Sequence, residues 1–106
     1  MSDIKWERLN PAKKPVRPGF DDLFAEYNGV GLFVTLSYYE DECGEVRKDW
    51  LDLRWSVSHK NSNEFELLGA GSYQILSATV TDQEFGKIFD LFKRRAEGIA
   101  KGWVEE

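Results

Sequence analysis

From Val30 to Val80 the chain alternates apolar and polar residues, which is the side-chain period of β-strands. The alternation predicts strands over residues 30–39, 50–59, from 65 onward, and 72–80. The connections between them, including a tight reversal at Gly69-Ala70-Gly71, are too short for a parallel crossover. The pattern therefore predicts an antiparallel meander of four strands, or of five if residues 3–9 add an edge strand.

The hydrophobic period changes at Thr81. From there apolar residues recur at helical spacing, namely at Phe85, Ile88, Phe89, Phe92, Ala96, Ile99 and Trp103. Thr81 and Glu84 have the spacing of a capping box, in which each side chain bonds the backbone N–H of the other residue. This pattern predicts a C-terminal α-helix packed across one face of the sheet, fraying after Glu97, and hence an α+β fold.

The N-terminal fifth of the chain has a different pattern. Three prolines, at Pro11, Pro15 and Pro18, predict an extended arm over residues 1–19. Apolar residues at positions 20, 23, 24 and 27 then have helical spacing and are followed by Asn28-Gly29, which predicts a short helix over 20–27. A looped apolar plug is the alternative for this segment. We therefore expect an arm and one α+β domain over residues 20–106.

Composition limits the class of protein. The chain has 106 residues, of which 42% are hydrophobic, and a formal net charge of −5. These values are typical of one ordinary globular domain, and the acidic balance argues against a general nucleic-acid binder. One cysteine, a polar N-terminus and the lack of a long apolar run predict a cytoplasmic protein with no membrane partner.

No arrangement of residues in the sequence indicates catalysis. His59 is the only histidine and Cys43 the only cysteine, and the strand pattern puts them on two separate, exposed turns. Two such residues are too few for a structural zinc site, and Gly69-Ala70-Gly71 lacks the spacing of a phosphate loop. We therefore expect no enzyme activity, no cofactor and no metal, and an unrecognised enzyme is only the third hypothesis.

Charge is concentrated between residues 40 and 52, where six carboxylates stand against Arg47 and Lys48. The residues expected to contact a partner are Glu40, Asp41, Glu42, Glu45, Asp49, Tyr39 and Trp50. A charged surface of this kind favours docking of a basic protein, as by an acidic inhibitor or immunity-type protein that neutralises a basic enzyme. The plainer explanation is that a hairpin tip is simply where charges are solvated.

The second hypothesis is a domain that binds single-stranded DNA or RNA. It would use the basic arm, with Lys5, Arg8, Lys13, Lys14 and Arg17, and a stacking platform of strand aromatics, with Phe33, Tyr39, Trp50 and Tyr73. The alternative for these aromatics is that both faces of the sheet are covered, one by the long helix and the other by the short helix or the arm. The oligomeric state is left open.

Overall fold

The structure is a computed structural model that describes residues 4–61 and 64–102. Within these residues an antiparallel meander of five strands carries one helix, which confirms the α+β prediction. The elements are β1 (Glu7–Arg8), β2 (Leu23–Tyr27), β3 (Val30–Glu40), β4 (Val46–Asn61), β5 (Glu64–Leu76), a 3₁₀ turn (Ser77–Thr79) and α1 (Asp82–Gly102). The described residues do not include residue 3, at one end of the predicted edge strand, or Trp103, the last residue of the helical pattern.

The core lies between α1 and one face of the sheet. Near the start of α1, Phe85, Phe89 and Phe92 form a buried cluster with strand residues, which are Val34, Leu36, Leu51, Leu53 and Ile75. Further along, Ala96 and Ala100 join a second cluster with Leu32 and Val57 of the sheet. Because burying one large apolar side chain contributes about 1.5–3 kcal/mol, the α1 stripe is a main source of stability.

The start of α1 is capped by Thr81. Its Oγ1 accepts the Glu84 backbone N–H at 3.1 Å, which satisfies one of the orphan donors of the first turn. The Glu84 carboxylate accepts the Thr81 hydroxyl at 3.0 Å, so the two side chains bond each other directly. The predicted start of the helix is confirmed. The predicted weakening after Glu97 does not end the helix, which continues through Gly98 to Gly102.

The prediction of a short helix over 20–27 is wrong, because residues 23–27 form β2, paired with β1 and β3. Asn28 and Gly29 have φ values of +49° and +79° and form the two-residue turn between β2 and β3. This is the Asn-Gly hairpin turn, which needs positive φ at both positions, and not a helix stop. Asp22 also serves the sheet, since its Oδ1 accepts the Leu36 backbone N–H at 2.8 Å.

The predicted reversal at Gly69-Ala70-Gly71 is also wrong, since β5 runs without a break from Glu64 to Leu76. Only a bulge interrupts its pairing with β4, between Val57 and Ser58. A Cβ at Gly71 would overlap the indole nitrogen of Trp55, and one at Gly69 would lie 2.7 Å from Ile99 Cδ1. The glycines therefore make room for side chains on the helix side of the sheet.

The arm contacts the helix side of the molecule. Ile4 is buried, and Trp6 donates from its indole nitrogen to the Glu97 carboxylate at 3.3 Å. Val16 and Phe20 pack against the cluster formed by the first half of α1. In the part of the arm that the structure describes, and in the segment before β2, these contacts lie on the helix side and not on the opposite face of the sheet, which we call the open face.

Candidate partner-binding surface

The tip of the β3–β4 hairpin is organised by Asp41. Its Oδ1 accepts the backbone N–H groups of Cys43 and Glu45 at 3.0 and 2.9 Å, and its Oδ2 accepts from Arg47 Nε at 3.4 Å. Gly44, at φ +81°, supplies the left-handed residue of the turn. The hydrogen bond from the Glu45 N–H is the main cause that lowers the pKa of Asp41 below its ordinary value. Asp41 thus builds the turn, although the sequence suggested it as a partner contact.

An irregularity in β4 shapes the surface next to this turn. Tyr38 pairs with Leu51 but Tyr39 pairs with Arg47, so that residues 48–50 form a three-residue bulge. The bulge places Trp50, which is 37% exposed, beside Tyr39. The two rings line a pocket of about 310 Å³ with Asp41, Arg47 and Gln74. Of the seven residues expected to contact a partner, Tyr39, Asp41 and Trp50 are therefore brought together in one pocket.

The remaining four predicted contacts, Glu40, Glu42, Glu45 and Asp49, are exposed in the same hairpin but do not line the pocket. Within the part of the chain that the structure describes, none of them forms an ion pair or a side-chain hydrogen bond. These four side chains are therefore exposed to solvent, in a hairpin that also carries Arg47 and Lys48. We call these four carboxylates together with the Tyr39–Trp50 pocket the hairpin surface.

A polar network on the open face was not expected from the sequence. Asp52 is only 4% exposed, and its Oδ1 accepts from Gln74 Nε2 at 2.8 Å. Its Oδ2 accepts from Arg54 Nε at 2.7 Å. The Asp52–Arg54 ion pair could have been predicted, because opposite charges two residues apart lie on the same face of a strand. The contact with Gln74 could not, because Gln74 belongs to another strand. Because both oxygens of the Asp52 carboxylate accept hydrogen bonds, the network holds the side chains of Arg54 and Gln74 in place beside the pocket.

Most cations of the basic arm form ion pairs within the molecule. Arg8 pairs with Asp21 at 3.1 Å and Lys13 with Asp22 at 3.0 Å. Arg17 pairs with Asp82 at 2.8 Å, donates to the Val80 carbonyl at 2.7 Å and lies 5.0 Å from the centre of the Phe85 ring. Three of the five arm cations are thus engaged within the molecule, and two, Lys5 and Lys14, are exposed.

The strand aromatics do not form a single platform. Phe33 lies on the open face and is half-buried, with its ring against Gly31. Tyr73 lies on the other side, in a groove lined by α1. Tyr39 and Trp50 lie together at a third place, the β3–β4 hairpin. Among residues 4–61 and 64–102, no helix or arm segment joins a core cluster on the open face, which differs from the alternative that both faces are covered. The four rings are divided among separate surfaces.

The two candidate nucleophilic or metal-binding residues are far apart along the sheet. Cys43 is exposed in the β3–β4 turn, while His59 lies near the other end of β4. His59 is buried, so the expectation of an exposed turn residue is wrong for it. Residues 4–61 and 64–102 contain no group of three or more His, Cys, Asp or Glu side chains arranged to hold a metal ion.

Comparison of the chain with protein-family models, with curated protein sequences and with solved structures found no match in any of the three. In the described part of the chain, no helix is both long and apolar enough to cross a membrane.

Proposed function

We propose that this chain is a non-catalytic cytoplasmic domain that binds a basic protein through the hairpin surface, as an acidic inhibitor or immunity-type protein would. One observation carries the proposal. Four exposed carboxylates, at positions 40, 42, 45 and 49, form no ion pair among residues 4–61 and 64–102, and they share the hairpin with a pocket lined by Tyr39 and Trp50. In contrast, the cations of the arm are largely paired within the molecule.

The two parts of the hairpin surface have different physical roles. Exposed carboxylates at a hairpin tip that outnumber the nearby cations attract a positively charged partner and raise the association rate. Tyrosine and tryptophan beside a pocket are the residue types that dominate the free energy of protein–protein binding. Arg47 holds Asp41 in place and so keeps the turn rigid, which lowers the entropy lost on binding.

Affinity capture with matched variants tests this proposal. Three proteins are compared. They are the wild-type chain, a hairpin variant (Glu42→Lys with Glu45→Lys) and a control variant (Glu7→Lys with Glu26→Lys), and all four substituted glutamates are exposed. Both variants alter the net charge by the same amount. We expect one stoichiometric basic protein to be captured from the native host by the wild type and the control, and to be lost with the hairpin variant.

Equal capture by all three forms, or no stoichiometric partner for the wild type, would contradict the proposal. The same proteins are titrated with single-stranded DNA and RNA, together with an arm variant (Lys5→Glu with Lys14→Glu). Binding by the wild type that is tighter than micromolar at physiological salt and is lost only in the arm variant would instead support the nucleic-acid hypothesis.

A further inference from the structure

A groove of about 540 Å³ lies between β5 and α1 on the helix side of the sheet. Its helix wall extends from Ile88 to Arg95, and its strand wall extends from Ala70 to Tyr73. The buried strand residues beneath α1 belong mainly to β3 and β4, so the side of the helix that faces β5 is left open. We call this depression the β5–α1 groove.

Trp55 and two glycines of β5 give the groove its shape. Because Gly71 has no side chain, the indole of Trp55 reaches this position from β4 and forms part of the lining. At Gly69 the space is filled from the helix, since an added Cβ there would lie 2.7 Å from Ile99 Cδ1. Ile99 is about one helical turn beyond Arg95, so it bounds the groove at the Arg95 end.

The walls of the groove are mostly apolar and partly exposed. Tyr73 is 53% exposed and Leu91 is 44% exposed, although both are large apolar side chains. Ile88 is half-buried and Phe92 is buried, and both continue the same wall. Neighbouring apolar side chains that stay exposed on a small domain commonly mark a binding groove. The β5–α1 groove is therefore suited to an apolar ligand.

Arg95 adds a positive charge at one end of this apolar surface. Of the described residues that line the groove it is the one with a charge, and among residues 4–61 and 64–102 it forms no ion pair. Its neighbours one helical turn away, Leu91 and Ile99, carry no charge that could pair with it. The exposed guanidinium therefore keeps its donors for an anionic group, which it can bind through two parallel N–H···O bonds.

The edge of β5 supplies further donors beside the groove. In the described part of the chain this strand pairs only with β4, so the N–H groups that point away from β4 have no strand partner there. An anionic group held by Arg95 would thus lie close to open backbone N–H groups as well. The groove combines an apolar surface with a site for one anion at its end.

We propose that the β5–α1 groove binds a free fatty acid of medium chain length. The acyl chain lies against Trp55, Tyr73 and Leu91, and the carboxylate binds Arg95. One guanidinium matches the single charge of a carboxylate, and the apolar walls match the chain. A net charge of −5 disfavours adsorption to an anionic membrane, which attracts clusters of Lys and Arg, and so favours a free ligand over a membrane lipid.

This inference does not depend on the proposed function. The groove and the pocket at the hairpin have no lining residue in common. The hairpin variant (Glu42→Lys with Glu45→Lys) should therefore bind the fatty acid as the wild type does. Likewise, loss of fatty-acid binding is not expected to abolish capture of a basic partner, so the two proposals fail separately.

The test is titration of the full chain with octanoate, followed by the NMR shifts of the backbone amides. We expect saturable shifts in residues 70–73 and 88–95. Arg95→Gln should raise the dissociation constant for octanoate roughly tenfold or more, because charge-assisted hydrogen bonds are lost. Octanol has the same chain with a neutral head group, so its dissociation constant should be the same for the wild type and for Arg95→Gln.

Two controls make the result specific. Arg94→Gln is the same change at the neighbouring exposed arginine, which does not line the groove, and it should leave octanoate binding unchanged. Octanol binding by Arg95→Gln shows that the groove of this variant is still folded. The inference would be overturned by equal weakening in the two arginine variants, or by equal weakening for octanoate and octanol.

The remaining outcomes separate the fatty acid from other occupants. Absence of saturable octanoate binding up to about millimolar concentration would overturn the inference, as would shifts concentrated at the hairpin. The wild type is also mixed with vesicles of anionic phospholipid and with a short peptide of acidic and apolar residues. Binding to the vesicles or to the peptide, without binding of octanoate, would overturn the fatty-acid assignment.

Discussion

Trp55 and Gly71 are directly opposite each other on β4 and β5, and the Trp55 indole occupies the space that a side chain at position 71 would fill. The indole packs against both core clusters beneath α1, so its position matters for the whole layer. The glycine is therefore required by a residue that is 16 positions away in sequence and not by a turn. This relationship explains why β5 is continuous across two glycines.

Replacing Gly71 should accordingly destabilise the domain. We expect Gly71→Ala to lower the free energy of unfolding by about 1–3 kcal/mol, the usual cost of overpacking a filled site. In Gly98→Ala no atom outside the adjoining backbone of α1 lies within 4 Å of the new Cβ, and the helix should gain about 0.5–1 kcal/mol. Urea denaturation of both variants measures the difference. An unchanged stability for Gly71→Ala would mean that Trp55 is not held over this glycine.

The buried stripe of α1 provides a second prediction. Phe89 is 6% exposed and lies in the core cluster, so Phe89→Ala should cost about 3–5 kcal/mol. Leu91→Ala, an apolar deletion from the exposed side of the same helix, should cost less than about 1 kcal/mol. Both are measured by denaturant unfolding at a concentration where the chain is monomeric. Similar losses for the two variants would contradict the packing of α1 described above.

The cap at the start of α1 provides a third prediction. Thr81→Ala removes the acceptor of the Glu84 N–H and should lower stability by about 1 kcal/mol. Thr81→Ser retains the hydroxyl and should stay close to wild type. If thermal melts show that serine and alanine have the same effect, the hydroxyl does not cap the helix.

The pH dependence of stability tests the role of Asp41. Because hydrogen bonds hold the pKa of Asp41 below its ordinary value, its ionised form stabilises the folded state at neutral pH. This contribution is lost as the pH falls through the lowered pKa of the folded state. The stability difference between wild type and Asp41→Asn should therefore be larger at neutral pH than in acid. Urea denaturation of both proteins at neutral and at acid pH measures this difference, and an equal difference at the two pH values would contradict the role of Asp41.

The sequence alone predicted the elements in which the spacing of hydrophobic residues matches only a helix or only a strand. Phe85, Phe89 and Phe92 mark one face of α1, and the alternation from Val30 onward marks β3. The helical spacing of positions 20, 23, 24 and 27 led to the wrong prediction for β2, because it passed over Ala25, which lies between Leu23 and Tyr27 on the core face of the strand. Asn28-Gly29 suits both a helix end and a hairpin. Pairing with β3 decided between them.

The candidate site was less predictable. Acidic residues at a hairpin tip are visible in the sequence, and they do lie together. In contrast, the role of Asp41 in the turn, the bulge that brings Trp50 beside Tyr39, and the Asp52–Gln74 bond arise from contacts between strands. Nothing in the local sequence distinguishes a carboxylate that builds the turn from one that faces solvent.

The central claim is that the exposed carboxylates of the hairpin surface attract a basic protein partner. The most direct test is the association rate constant with the purified partner, measured by stopped-flow fluorescence at low and at physiological salt. We expect the hairpin variant (Glu42→Lys with Glu45→Lys) to associate roughly tenfold more slowly at low salt and with a weaker salt dependence. The matched control (Glu7→Lys with Glu26→Lys) should be affected much less. Equal slowing by both variants would show that net charge alone matters, and unchanged association of the hairpin variant would contradict the account.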